Sequence, residues 1–175
     1  MSSIEKRREI TQYKDVPIPD EVLEQLIRAL YLSPSGNNVP SREFVLVRDR
    51  LMLQQLSPTT PYMKWLAQAD AGVVITGNPA VSKYWLQDAS IAGSFLWLAA
   101  TSLGLGAAWG SVYHSEDQEE SLRRESFVRG LLHIPDSMRV VAIIGLGYPA
   151  NEPPPKTLYP LTTVFHCEQF GEKGK

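Results

Sequence analysis

No Asp, Glu, Lys or Arg occurs between residues 89 and 115. An uncharged stretch of that length has two natural homes, a bilayer or the centre of a folded core. Here Gly104 and Gly106 interrupt it, Ser90, Ser94, Thr101 and Ser102 dilute it, and Asp88 stands at its head. These features predict a buried helix that starts near residues 81–87 and ends at Gly104, where glycine permits a helix-terminating turn. A strand over 105–109 should follow. No membrane span is expected.

The remaining elements fit around that helix. Residues 71–77 (AGVVITG) and 139–146 (RVVAIIGL) are continuous apolar runs, the pattern of strands covered on both faces. Val22, Leu23, Leu26, Ile27 and Leu30 recur at helical spacing, and Asp20 is a start signal for their helix. A short basic helix is expected over 3–10, a strand over 43–48, and further helices over 51–56, 62–68 and 116–132. The tail from 161 to 170 alternates weakly and reads as a strand. Helices interspersed with a few strands indicate one layered domain spanning 1–175, of α+β or α/β class. The apolar tail follows Pro153, Pro154 and Pro155 and needs a surface to dock on, with a partner subunit as one candidate.

Charge and cysteine content narrow the function classes. A formal net charge of −2 offers no bulk basic field for nucleic acid or an anionic membrane. Lys6-Arg7-Arg8 and Arg123-Arg124 are local exceptions. The one cysteine, Cys167, excludes an intramolecular disulfide framework and fits a reducing compartment such as the cytoplasm. The opening MSSIEKRRE lacks the apolar core of a secretory signal.

Several familiar motifs fail on inspection. Residues 145–150 (GLGYPA) fit G-x-G-x-x-A after a strand, but a dinucleotide site needs a helix to open there, and Pro149 and the proline run prevent one. His114, His133 and His166 are too scattered for a metal site. No serine sits in a nucleophile elbow, and Cys167 has no activating base that the sequence identifies.

What remains is a series of polar pieces in a fixed order. Arg7 and Arg8 come early. Residues 33–38 (SPSGNN) put six turn-prone residues between a helix and a buried strand, more than a connector needs. Residues 103–111 (LGLGAAWGS) follow the uncharged helix, and residues 147–149 (GYP) follow the last core strand, with Lys156 beyond.

In this order the pieces resemble the FMN-dependent nitroreductase family. Residues 33–38 look like its A-P-S-x-x-N flavin loop. Residues 88–106 look like its D-x-x-x-A-x-x-x-L-x-x-A-A-x-x-L-G-L-G helix and turn, and 145–149 like its G-x-G-Y-P strand end. The resemblance implies an α+β, three-layer α-β-α domain with a central mixed sheet. It implies an intertwined homodimer whose tails reach over the partner, with each FMN held between the chains. NAD(P)H would give a hydride to flavin N5, and a small-molecule acceptor such as a nitroaromatic or quinone would be reduced in a ping-pong cycle. The flavin carries the chemistry, so no catalytic acid–base pair is expected. Arg7, Arg8 and Lys156 would meet the phosphate. Pro34, Ser35, Gly36 and Asn38 would line the ring and ribityl chain. Trp109, Gly110 and Ser111 would stand at the ring edge, Gly110 and Ser111 offering backbone N–H groups to N5 and O4.

Three departures matter. Glu9 stands where the family places a phosphate-binding serine. Thr11 stands where a basic residue often faces the flavin pyrimidine, which predicts a lowered reduction potential. Residues 39–41 (VPS) replace a Gln- and Trp-containing continuation. Trp65, Tyr62, Tyr113 and Phe127 are aromatic substitutes, with core packing as the plainer role for each. Alternatives are another flavin chemistry on the same fold (dehalogenation or flavin degradation), a flavin-binding dimer without turnover, and an unrelated binding domain.

Overall fold

The structure is a computed structural model and describes residues 1–172. Its centre is a four-stranded sheet built from β1 (Arg42–Val47), β2 (Ala71–Gly77), β3 (Gly106–Ser111) and β4 (Arg139–Gly147). The strands lie in the order β1-β2-β4-β3, and every pair is antiparallel. The parallel component of the expected mixed sheet is a single bridge between Glu9 and Ala107 beside β3.

β2 is buried along its whole length and β4 almost so, as their unbroken apolar sequences require. Alternate side chains feed two cores. Val73, Ile75, Ile144 and Leu146 meet α2 (Asp20–Tyr31) and α4 (Trp85–Ser102) on one face. Val74 and Ile143 meet α3 (Arg50–Leu56) and α5 (Gln118–Leu132) on the other. The domain is thus α-β-α.

The uncharged segment forms α4, which sits close to the sheet because it turns Ala89, Ala92, Gly93 and Ala100 inward. At Gly93 a β-carbon would lie 2.3 Å from the Trp109 ring. The helix ends at Gly104, whose φ of +77° is left-handed. Its outer side leaves Ile91 and Phe95 39% and 42% exposed.

An ion-pair network fastens α5 to β4. Glu125 is fully buried and accepts hydrogen bonds from Arg139 (2.7 and 2.8 Å), Ser121 (2.8 Å) and the Val140 N–H (3.0 Å). Burial acts to raise the Glu125 pKa, but these donors outweigh it and hold the carboxyl below its ordinary range. The Arg139 guanidinium lies within 5.4 Å of Trp85 and 5.0 Å of Tyr113, which meet edge to face.

Two expectations fail at the termini. The first helix, α1 (Ser2–Lys6), stops before residue 10 because the following segment runs beside β3, where the Ile10 N–H donates to the Ala107 carbonyl at 3.0 Å. The tail is not a strand. It makes one 3-10 turn, Leu161–Thr163, and residues 150–165 are exposed throughout, with no sheet edge among the described residues paired to them. The segment expected to be helical over 62–68 is a 3-10 turn, Lys64–Gln68.

Candidate functional site

The N-terminal half of the expected site is assembled on α4. Arg7 places its guanidinium 4.7 Å from the centre of the Trp97 ring, and the Trp97 indole N–H donates to the Arg8 carbonyl at 3.1 Å. Arg8 turns one nitrogen to the carbonyls of Glu5 (2.7 Å) and Arg7 (2.9 Å). Its Nε–H is buried without a hydrogen-bond partner among the described residues. Arg8 and Lys6 line a cleft of about 600 Å³, walled by Thr101 and Gly104 on one side and Pro149 and Pro155 on the other. Glu152 adds one opposing charge. Lys156 follows Pro155 on the exposed arm. The Glu9 carboxylate bears on Tyr13, whose phenol is pushed well above its ordinary pKa by burial first and by that charge second.

β3 supplies an open edge. Ala107 turns its carbonyl outward to Ile10, so backbone alternation turns the groups of Trp109 and Ser111 outward as well. The same alternation turns Gly110 toward Ile143 of β4, with which it is paired. The expected N–H donor at Gly110 therefore faces into the sheet, while that of Ser111 faces out. Gly110 instead makes room for Met63, which sits 2.4 Å from where a β-carbon would be. The Trp109 indole donates to the Ser111 hydroxyl at 3.0 Å.

The loop over 33–41 forms the other half. Asn37 and Asn38 both have φ of 55°, a left-handed geometry that asparagine tolerates better than most residues. Ser35 donates its hydroxyl to the Val39 carbonyl at 2.7 Å, which leaves its oxygen as an acceptor only. Arg42 holds the Ser33 carbonyl and hydroxyl. Pro34, Ser35 and Asn38 line a cleft of about 460 Å³ with Tyr31 and Phe44.

Asp88, marked by the sequence only as the head of the uncharged helix, carried no expected site role. Only 3% exposed, it accepts the Gly36 N–H at 2.9 Å and the Ser41 hydroxyl at 2.5 Å. A signal was available: it is the last charge before the uncharged stretch, placed where a buried helix begins. Of the aromatic substitutes, Trp65 packs on Gly145, Tyr113 meets Trp85, and Tyr62 is exposed.

The two halves do not meet. Asp88 and Trp97 are nine residues apart on α4. At 3.6 residues per turn that separates them by roughly half a turn around the axis and about 13 Å along it. The cleft lined by Arg8 and the cleft lined by Asn38 share no lining residue. One half of the expected site thus faces away from the other.

The Nitroreductase family profile matches residues 4–60 and 53–148. An Archaeoglobus fulgidus protein, provisionally named NADH dehydrogenase/NAD(P)H nitroreductase, is 37% identical over 156 residues, covering 87% of this chain and 86% of its own. The crystal structure of a Bacteroides thetaiotaomicron protein with the same provisional name superposes with a TM-score of 0.86 at 33% identity, covering 96% of each chain. An FMN-dependent nitroreductase from Clostridium difficile superposes with a TM-score of 0.87 at 30% identity, covering 96% of this chain and 98% of its own. The chain therefore belongs to the Nitroreductase family.

Proposed function

We propose that the chain is an FMN-dependent, NAD(P)H-consuming oxidoreductase that works as an intertwined homodimer. The observation that carries this reading is the opposed placement of its two half-sites on α4. One chain cannot close both halves around one cofactor, whereas two chains can, each giving its N-terminal half to one site and its 33–41 loop to the other.

Exposed apolar surface supports the same assembly. The arm carries Leu158, Tyr159, Leu161, Val164 and Phe165 in the open, and Phe170 is 94% exposed. Ile91 and Phe95 add an exposed patch on α4. Burying such side chains against a second copy is favourable by roughly 25 cal/mol per Å² of apolar area. The names of the relatives support the redox assignment.

The residues present fit FMN. Arg8 brings a positive charge and a buried N–H with no partner among the described residues to a cleft of suitable size, as a phosphate group requires. Lys6 adds charge there, and Lys156 would reach it from the arm. The outward backbone groups of Trp109 and Ser111 offer donors to the acceptor atoms of a ring edge, and Asn38 offers its side chain from the partner's loop. FMN, when bound, would supply the redox chemistry between NAD(P)H and a nitroaromatic, quinone or similar acceptor in a ping-pong cycle. The chain's task is to bind, orient and screen. Trp97 fixes the Arg8 backbone and the Arg7 side chain. Among the described residues no helix is long and apolar enough to cross a membrane, and a cytoplasmic location with access to NAD(P)H completes the proposal.

The test is an absorption spectrum of the purified protein, with and without added FMN, after gel filtration. Flavin bands that travel with a dimer, and NAD(P)H consumption that needs a quinone acceptor, are expected. A colourless protein that ignores FMN overturns the cofactor assignment, and bound flavin without turnover leaves a carrier in place of an enzyme.

A further inference from the structure

We propose that Asp88 is a positioning residue for the cofactor: its carboxylate sets the shape of the 33–41 loop and through it the affinity for FMN. The inference rests on the reading that this loop meets FMN, and it adds the residue that prepares the loop for the task.

The geometry is specific. Asp88 lies in the first turn of α4, where the helix dipole favours a carboxylate. Its two oxygens engage two different points of the loop. One accepts the Gly36 N–H and the other the Ser41 hydroxyl. Gly36 is also seated directly on Tyr84, the residue just before α4, so that a β-carbon there would lie 2.6 Å from the Tyr84 ring. Ser41 is fully buried, and its carbonyl accepts the Asn78 N–H at 2.7 Å, which ties it to the end of β2.

Between these two pins the chain bulges outward. Asn37, Asn38 and Pro40 are exposed, and both asparagines hold left-handed backbone angles. Few other contacts constrain the bulge. The Ser35 hydroxyl reaches Val39, and the Asn38 N–H donates to the Ser35 carbonyl at 3.0 Å, but both of these bonds lie inside the loop and move with it. The carboxylate is thus the hydrogen-bonded link that holds both ends of the bulge to α4, beside the packing of Gly36 on Tyr84. A site shared between chains needs this: the loop must already stand in place when the partner's cofactor arrives, or FMN binding has to order it first.

An asparagine can replace this carboxylate in outline. Its oxygen can accept from Gly36, and its amide can donate to the Ser41 hydroxyl, which accepts as readily as it donates. An alanine can do neither. The comparison of Asp88→Asn with Asp88→Ala therefore separates loop positioning from a general loss of charge.

The experiment uses the full chain, with two measurements: amide hydrogen exchange at Gly36 without FMN, and the FMN dissociation constant from quenching of flavin fluorescence. Asp88→Ala should speed Gly36 exchange and weaken FMN by about tenfold or more, the effect of losing charge-assisted hydrogen bonds. Asp88→Asn should keep both within about threefold, with the visible circular dichroism of the bound flavin preserved. Ser41→Ala, which removes one of the two bonds, should fall between them, and it decides the matter with Asp88→Asn should the alanine variant fail to fold. Unchanged FMN affinity in a folded Asp88→Ala, or equal damage from Asn and Ala, overturns the proposal while FMN binding by the wild type stands. A wild type that binds no FMN overturns the cofactor reading and the positioning role with it.

Discussion

Trp97 donates its indole N–H to the carbonyl of Arg8 while its ring carries the guanidinium of Arg7. One tryptophan on the central helix thus fixes the backbone of one arginine and the side chain of the other. Arg8 is left with a buried Nε–H that has no partner among the described residues. Arg8→Ala should raise the FMN dissociation constant by about tenfold to a hundredfold, the effect of a lost charge-assisted bond. Fluorescence titration at two salt concentrations checks it, and the affinity of the variant should depend less on salt.

Thr11 is exposed and carries no charge. Thr11→Lys should stabilise the more negatively charged, reduced cofactor by about 1 kcal/mol, which raises the two-electron midpoint potential by about 20 mV. A potentiometric titration of both proteins measures this, and no positive shift would sink the idea.

The exposed arm should be necessary for assembly. Deleting residues 157–175 should turn a dimer into a monomer in sedimentation velocity, and FMN should be lost with it. The domain itself should remain folded, because both cores lie within residues 10–146.

Glu125 predicts the acid limit of stability. Its carboxyl is held below the ordinary range by Arg139, Ser121 and the Val140 N–H against the pull of burial. A depressed carboxyl contributes stability that is full above its unfolded pKa of about 4.3 and is lost as pH falls through the folded value. Glu125→Gln should therefore lower the melting temperature at pH 7 and flatten its decline below pH 4.5, as seen in thermal melts across that range. The loss at pH 7 should reach about 3 kcal/mol, since Arg139 would lose its carboxylate partner, while Arg129 keeps Asp136.

Much of the architecture was legible from local chemistry. β2 and β4 are buried enough that apolar continuity marks them almost to the residue, and Gly104 ends α4 where its backbone freedom allows. The loop over 33–41 stood out by its density of turn-forming residues. What could not be read were relations that depend on partners distant in sequence. The charged residues before Ile10 suit a helix, yet Glu9 and Ile10 leave it for the edge of β3, far along the chain. The alternation in the tail suits a strand, yet the sheet of the described residues does not include it. Gly110 and Ser111 looked equivalent as donors, and only the pairing of β3 with β4 shows that they face opposite ways. The role of Asp88 depends on two loop positions about 50 residues earlier, bonds that no local spacing could suggest.

The back-to-back arrangement on α4 has a genetic consequence. In the proposed dimer, an allele damaged at Arg8 and another damaged at Asp88 harm different contributors to each shared site. Homodimers of either allele carry the same lesion twice. A mixed dimer gathers both lesions into one site and leaves its twin wholly wild type, so two defective alleles expressed together should complement each other.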